Sequence, residues 1–252
     1  MEPRESFTLE ISDGQESATT LIIGQPHLGM AGVTAMDYLV RNLESSEVGH
    51  IAPEELPAIA PFEDGVPRHH SRFYTIEGTG LLALVGELFI PVGAARPYTD
   101  ALLELAREQG IDEIVILHGI PFPHGPEEHE VFYVSTPAFR ERRLTETAMR
   151  PLKGGFLDGV AGEVVTRSLD EAAPETGVFI TPTHPPGPDV DASLRLLDAL
   201  EATYGFDLDE TELRELGEQL NQYYQQLSER LATVEGEEAL GSHDYPEDRM
   251  FM

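Results

Sequence analysis

The chain has 252 residues, of which 40% are apolar, and a formal net charge of −30. Its length and apolar content suit one large domain with appendages. Because the chain has 46 acidic residues and only 16 basic ones, the composition argues against binding to nucleic acid or to an anionic membrane. The absence of cysteine excludes disulfides, thiolate zinc sites and a cysteine nucleophile.

The acidity looks like a general bias rather than a functional patch. Lys153 is the only lysine, and the other basic residues are arginines. Such a composition is typical of organisms that keep molar salt in the cytoplasm, because salt at about 1 M shortens the Debye length to about 3 Å and screens self-repulsion. There is no N-terminal apolar signal region, and no apolar run reaches the roughly 18 residues that span a bilayer. We therefore expect a halophilic, soluble, cytoplasmic protein.

In chain order, apolar alternation and short apolar runs predict a series of strands. They are 7–11, 19–24, 73–76, 81–85, 113–117, 131–134 and 177–181. Prolines between Val48 and Phe73 predict an irregular excursion, and residues 118–129 form a predicted loop rich in histidine and proline.

Helices are predicted between several of these strands. The first carries an apolar stripe, the second follows Pro97 and ends at Gly110, and Asp189 caps a third. The stripe consists of Met36, Leu39, Val40 and Leu43. Alternating strands and helices predict an α/β fold, with a layered sheet flanked by helices. We expect an α/β core domain over 1–208, a long amphipathic helix over 209–235 and a flexible acidic tail over 236–252.

The long helix carries a coiled-coil seam. Asp209 and Glu212 form a capping-box-like start, and the apolar positions that follow step by three and four residues. The seam consists of Leu213, Leu216, Leu220, Tyr223 and Leu227. Such a stripe must be buried against its own domain or against another subunit.

The C-terminus is apolar although the segment before it is not. Residues 236–249 are rich in charge, glycine and proline, which predicts a solvated, mobile segment. Met250, Phe251 and Met252 then end the chain. This end either packs back on its own domain or inserts into a pocket of another protein, with the terminal carboxylate available to a basic group.

The glycine motifs have structural explanations. Gly24, Gly29 and Gly32 match neither the dinucleotide fingerprint nor the phosphate-binding P-loop, and a tight strand-to-helix turn accounts for them. The glycine-dense passage 154–162 either lines an active site or forms a turn packed tightly against the sheet, and we prefer the turn. No nucleophile, base and oxyanion donor assemble in the sequence, so we predict no catalytic residues.

The best metal candidate lies in the predicted loop, because histidine and carboxylate ligands suit zinc or iron. It comprises His118, His124 and His129 with Glu127, Glu128 and Glu130. A solvated acidic loop explains the same residues, and we favour that interpretation, so we predict no metal and no cofactor. His69 and His70 are predicted to be exposed.

Several stretches, taken in order, resemble the PAC2 family of proteasome assembly chaperones in its archaeal form. They are Leu21–Gly24 followed by Gly29 and Gly32, then Asp37–Leu39, Leu81–Glu87, Glu113–Gly119, Gly154–Phe156 with Gly159 and Gly162, Asp189–Ala192 and Phe206–Asp209. The resemblance implies a fold related to purine nucleoside phosphorylases with a C-terminal helical extension, and homo-oligomerisation.

The resemblance also implies a role for the C-terminus. In this family a C-terminal motif of a hydrophobic residue, a tyrosine and any residue docks between α-subunits of the 20S proteasome. Met250, Phe251 and Met252 are the matching positions, with phenylalanine in place of tyrosine. The lost hydroxyl removes one hydrogen bond, which typically contributes about 1 kcal/mol.

Three functional hypotheses follow. The first is a non-catalytic proteasome assembly chaperone or proteasome-associated adaptor that binds 20S α-subunits through this tail. The second, from the implied fold and the histidine-rich loop, is a hydrolase or phosphorylase that acts on a nucleoside-like substrate, although a fold does not fix a function. The third is a scaffold that only oligomerises through its long helix.

Overall fold

The computed structural model describes residues 7–12, 17–53, 59–121, 125, 128–169, 173–184 and 187–224. Within these residues, nine strands form one sheet, and two short strands form a separate hairpin. The strands are β1 (Phe7–Ile11), β2 (Thr20–Gly24), β3 (Ser45–Pro53), β4 (Phe62–Glu63), β5 (Val66–Pro67), β6 (Ser71–Ile76), β7 (Leu81–Gly86), β8 (Glu113–Ile120), β9 (Phe132–Ser135), β10 (Arg150–Pro151) and β11 (Glu175–Pro182).

The large sheet has a parallel centre and antiparallel flanks. Its strand order is β1-β3-β6-β7-β2-β8-β11-β9-β10. Strands β7, β2, β8 and β11 run parallel, so their carboxyl ends meet at one edge of the sheet. On one flank β6, β3 and β1 pair antiparallel, and on the other β9 pairs antiparallel with β11.

Helices cover both faces of the sheet. They are α1 (Ala31–Asn42), α2 (Val92–Gln109), α3 (Pro137–Phe139), α4 (Gly159–Arg167) and α5 (Val190–Tyr204), and a π-helical turn, Arg140–Leu144, follows α3. Leu21 and Ile23 of β2 belong to the core that includes Leu102 of α2 and Val164 of α4. Because side chains alternate along a strand, Ile22 points to the opposite face, where α1 packs against β2 and α5. The predicted α/β sheet flanked by helices is confirmed.

Most predicted strands and the capped helix are confirmed. Asp189 caps α5 through its side-chain oxygen, which accepts a hydrogen bond from the Ala192 backbone N–H at 2.8 Å. Gly110 ends α2 in the left-handed conformation, with φ of 72°. In the helix that carries the predicted stripe, Met36, Leu39 and Val40 are buried.

Three predictions about local structure are wrong. The stretch 48–73 is not irregular throughout, because it includes the end of β3, the β4–β5 hairpin and the start of β6. Helix α2 begins at Val92 and contains Pro97, which costs the helix one backbone hydrogen bond near its start. The preferred prediction of a turn over 154–162 is wrong for the end of that passage, because α4 begins at Gly159.

A buried ion cluster joins the amino end of β8 to the π-helical turn. Glu113 is only 1% exposed. Its carboxylate accepts hydrogen bonds from Arg142 Nη1 at 3.0 Å and from Arg143 Nε at 2.9 Å. Thr20 Oγ1 lies 3.4 Å from the same carboxylate. Since both guanidinium groups neutralise one buried charge, this cluster fixes the turn to the sheet.

The chain divides into two compact units, Met1–Glu210 and Thr211–Met252. In the second unit, residues 211–224 are helical, so this helix begins two residues later than predicted. The division into a core over 1–208, a helix over 209–235 and a tail over 236–252 stays a prediction. Among the residues that the structure describes, no helix is both long enough and apolar enough to cross a membrane.

Candidate functional site

The loops that carry histidine and aspartate side chains close to one another lie at the carboxyl edge of the parallel strands. The β2–α1 loop and the β7–α2 loop leave this edge toward opposite faces of the sheet. In open α/β sheets, ligands bind in the crevice where neighbouring connections diverge in this way. This edge is therefore the expected location of a binding site.

Close backbone contacts hold the β2–α1 loop in place. A Cβ atom added to Gly32 would lie 2.4 Å from the Leu117 carbonyl oxygen of β8, and one added to Gly29 would lie 2.6 Å from Thr183 Cβ. Gly29 also has a φ of 75°, which favours glycine. The interpretation of these glycines as a tight strand-to-helix turn is confirmed.

A small cavity lies beside this loop and contains two histidines in contact. His27 and His118 have ring centroids 4.1 Å apart. His27 Nδ1 lies 2.6 Å from the Gly119 carbonyl oxygen. Asp158 and Gly159, at the start of α4, line the same cavity, whose volume is about 110 Å³. The cavity thus joins β2, β8 and α4.

Burial controls the protonation of His118, which is 8% exposed. Desolvation of the ring, and then the neighbouring His27, lower the pKa of His118 to about 4, although the Asp158 carboxylate acts in the opposite direction. His118 is therefore a neutral imidazole at neutral pH.

The structure separates the histidines of the predicted metal candidate. His118 is not in a loop, because it belongs to β8. His129 instead contacts His184, with ring centroids 5.1 Å apart. Glu130 pairs with Arg150, while His124 and Glu127 lie outside the described residues. The described members therefore do not form one cluster.

The predicted exposure of His69 is confirmed, but that of His70 is wrong. His70 is buried because it immediately precedes β6 and its carbonyl oxygen accepts a hydrogen bond from the Glu87 N–H at 2.6 Å. Its Nδ1 lies 2.9 Å from Ser71 Oγ. His69 stacks on His50, with centroids 3.5 Å apart.

An apolar pocket of about 620 Å³ lies between α4 and the glycine passage. Leu152, Leu157, Val165 and Ile180 are among the residues that line it. A Cβ atom added to Gly154 or Gly155 would meet nothing within 4 Å, so the preferred prediction of a tightly packed turn is wrong for these two residues. The passage forms the rim of a pocket instead.

Large apolar side chains are exposed in the loops around the carboxyl edge. Phe89 is 61% exposed and Val92 is 67% exposed, and both line the histidine cavity. Phe156 is fully exposed at the apolar pocket, and Leu28 and Met30 flank the His27 loop. We call these five residues the apolar face. Large apolar side chains that are exposed in several loops at one edge of a sheet favour contact with other molecules.

The predicted helical seam is described in part. Leu213 is 3% exposed, whereas Leu216 is 47% and Tyr223 is 60% exposed. Leu220 is partly buried, and Leu227 lies outside the described residues. A role of the seam in oligomer formation stays a prediction.

The predicted partner-binding residues Met250, Phe251 and Met252 lie outside the described residues. Docking of the C-terminus to another protein therefore also stays a prediction.

Sequence reasoning missed the contact of His27 with His118 and the proximity of Asp158. One signal was present, because His27 follows the glycine that ends β2 and His118 lies near the carboxyl end of β8. The rule that ligands bind at the carboxyl ends of parallel strands would have paired these two residues. Nothing in the sequence indicated that α4 returns Asp158 to the same edge.

Known structures share this fold over most of the chain. PbaA of Pyrococcus furiosus, an archaeal homolog of proteasome-assembly chaperone, is 18% identical, with 95% of this chain and 100% of that chain covered and a TM-score of 0.77. PbaB of the same organism, an archaeal proteasome activator, is 16% identical, with 89% and 99% covered and a TM-score of 0.76. A Thermoplasma acidophilum protein of unknown function is 24% identical, with 88% and 90% covered and a TM-score of 0.71.

At these low identities, the TM-scores show a shared fold and no more. No curated protein matches the chain. At the level of sequence, however, the model of the PAC2 family matches residues 21–228, which is most of the chain. The chain therefore belongs to the PAC2 family.

Proposed function

We propose that this chain is a non-catalytic proteasome assembly chaperone or proteasome-associated adaptor. In this proposal it binds 20S α-subunits through its C-terminal Met250, Phe251 and Met252. The observation that carries the proposal is the fold shared with PbaA and PbaB, because one is described as a homolog of proteasome-assembly chaperone and the other as a proteasome activator.

The chemistry of the C-terminus supports the proposed binding mode. Met250, Phe251 and Met252 follow a segment rich in acidic residues, glycine and proline. A methionine side chain and a phenyl ring gain free energy when a pocket removes them from water. The terminal carboxylate can form a charge-assisted hydrogen bond with a lysine or arginine of the partner.

Exposed apolar groups in the described chain support a protein that works in contact with other proteins. The apolar face surrounds one edge of the sheet, and Leu216 and Tyr223 are exposed on one helix. In a chain with a net charge of −30, burial of uncharged surface is a way for copies to associate despite their repulsion. We infer homo-oligomers, in which several tails would bind one 20S ring with a raised effective concentration.

Because Phe251 stands where the family motif has tyrosine, we expect the C-terminus to bind the 20S ring more weakly than that motif does. Without the hydroxyl, docking loses one hydrogen bond of about 1 kcal/mol, which is about fivefold in affinity. The substitution Phe251→Tyr should therefore tighten binding by about fivefold. Phe251→Ala should weaken it by more, because the whole ring is lost.

Capture of the 20S proteasome from a high-salt lysate tests the proposal. The full chain should capture α-subunits, and deletion of residues 250–252 should abolish the capture. Tyr245→Ala is the matched control, since it removes an aromatic ring from the same tail but leaves the terminus intact. Equal capture by the full chain and the deletion variant would reject docking through the tail.

A further inference from the structure

We propose that the cavity at the carboxyl edge binds a divalent transition-metal ion through His27 Nε2, the His118 imidazole and the Asp158 carboxylate. All three residues line the same cavity. This set shares only His118 with the metal candidate considered from the sequence, and it is independent of proteasome binding.

The hydrogen bond of His27 prepares the ring to act as a ligand. A carbonyl oxygen only accepts, so the 2.6 Å contact between Nδ1 and the Gly119 oxygen places the proton on Nδ1. In the neutral ring, Nε2 then carries the free lone pair. Histidines that bind metals commonly donate their other N–H to a backbone carbonyl in this way.

The environment of His118 calls for a polar partner. The residue is 8% exposed, and its only ring contact within the described chain is with His27. No hydrogen bond joins its imidazole to any described residue. Because the ring lines the cavity, an ion or a water molecule there can bind its unbonded nitrogen.

Asp158 supplies the negative charge. It occupies the N-cap position of α4, yet its side chain makes no capping hydrogen bond. Its side chain is exposed and lines the same cavity as both histidines. The carboxylate is thus available at the mouth of the cavity.

The charges and the donor atoms select the ligand class. A carboxylate beside two imidazole rings favours a cation over an anion, and the net charge of −30 on the chain also attracts cations. Imidazole nitrogen suits zinc, nickel, copper and iron, whereas magnesium and calcium prefer sites made of oxygen. Two histidines and one carboxylate leave open positions for water.

Binding requires a small rearrangement. The donor atoms of His27, His118 and Asp158 do not all lie within 4.8 Å of one another, although those of Asp198, Glu201 and Glu210 do. The donor atoms must therefore converge when an ion binds, and the exposed Asp158 is the least buried of the three residues. In the second cluster, Glu201 Oε1 accepts a hydrogen bond from the Leu208 N–H at 2.6 Å and so has a structural role.

A metal here would have a consequence for the apolar face. It would join the β2–α1 loop to β8 and to the start of α4. Leu28 and Phe156 lie one and two residues from proposed ligands, so binding would fix the positions of part of the apolar face.

Titration of the full-length chain with Co²⁺ in molar KCl tests the site. A visible ligand-field band should saturate at one Co²⁺ ion per chain. Added Zn²⁺ should displace the Co²⁺ and abolish the band. His27→Gln and Asp158→Asn should each weaken Co²⁺ binding by more than about tenfold. Both residues are at least partly exposed, so these variants test the site even where a change at buried His118 prevents folding.

Two controls isolate the site. His69→Gln removes one ring of the other close imidazole pair, and Asp198→Asn removes a carboxylate of the acidic cluster. Both should leave the band unchanged. Absence of a band in the wild-type chain, a band unaffected by His27→Gln and Asp158→Asn, or a band lost in Asp198→Asn would each overturn the proposal.

Discussion

The buried ion cluster at Glu113 allows a quantitative prediction. The substitution Glu113→Gln keeps the size of the side chain but removes its charge, so Arg142 and Arg143 lose their common partner. Loss of one partner from a buried pair costs about 3–5 kcal/mol. Because the Arg142 side chain is 50% exposed and that of Arg143 is 31% exposed, water solvates part of the freed charge. We therefore expect a loss near the lower limit, about 3 kcal/mol.

Urea unfolding in molar KCl, followed by circular dichroism, measures this loss. The matched control is Asp100→Asn, which removes a charge from the 2.6 Å pair with Arg167, where the carboxylate is 55% exposed. An exposed pair contributes about 0–1 kcal/mol, and salt screens it further. Equal losses of unfolding free energy in the two variants would refute the reasoning that burial decides the strength of the Glu113 cluster.

Further predictions concern packing, pH and salt. Gly32→Ala should destabilise the fold by about 1–3 kcal/mol because its Cβ would overlap the Leu117 carbonyl. Gly93→Ala, in open space near the start of α2, should instead stabilise it by about 0.5 kcal/mol, and urea unfolding that gives the same sign for both contradicts the argument. Burial, followed by His69 and His50, lowers the pKa of His70 from 6.5. The unfolded chain thus binds this proton more readily, so stability should fall as the pH drops below about 6.5, and His70→Gln should reduce that loss between about pH 7 and about pH 5. An unchanged pH dependence of the urea midpoint in this variant would exclude His70 as the cause. The melting temperature should rise from dilute buffer to molar KCl, because salt screens a net charge of −30; calorimetry that shows no rise contradicts the expected adaptation to high salt.

The strands that could be predicted are those whose environment leaves a pattern in the sequence. β2, β7 and β8 are buried on both faces, so they appear as short apolar runs. β3 gave no such signal, because only Val48 and Ile51 are buried along its nine residues and it contains Gly49. β3 is held in an extended conformation by its hydrogen bonds to β1 and β6, and such pairing depends on distant parts of the chain.

At the candidate site, too, local features could be predicted from the sequence, whereas contacts between distant residues could not. Asp189 could be assigned as a cap because capping is local, between residues 189 and 192. The contact between His27 and His118 joins residues that are 91 positions apart, and Asp158 comes from a third element. The positions of the two histidines after parallel strands indicate only that they share one edge of the sheet, whereas the approach of Asp158 depends on how distant elements pack. The C-terminus shows the opposite case, since its sequence predicts a function that the described residues do not test.

A photo-crosslinker at position 251 tests the central claim most directly. p-Benzoylphenylalanine in place of Phe251 should crosslink to α-subunits when the protein is mixed with 20S proteasome in molar KCl. The same group in place of Tyr245 reports on contacts of the tail away from its end. The account predicts a dominant crosslink from position 251 to the α-ring. Crosslinks from position 251 that form only within its own protomer, with 20S proteasome present, would contradict it.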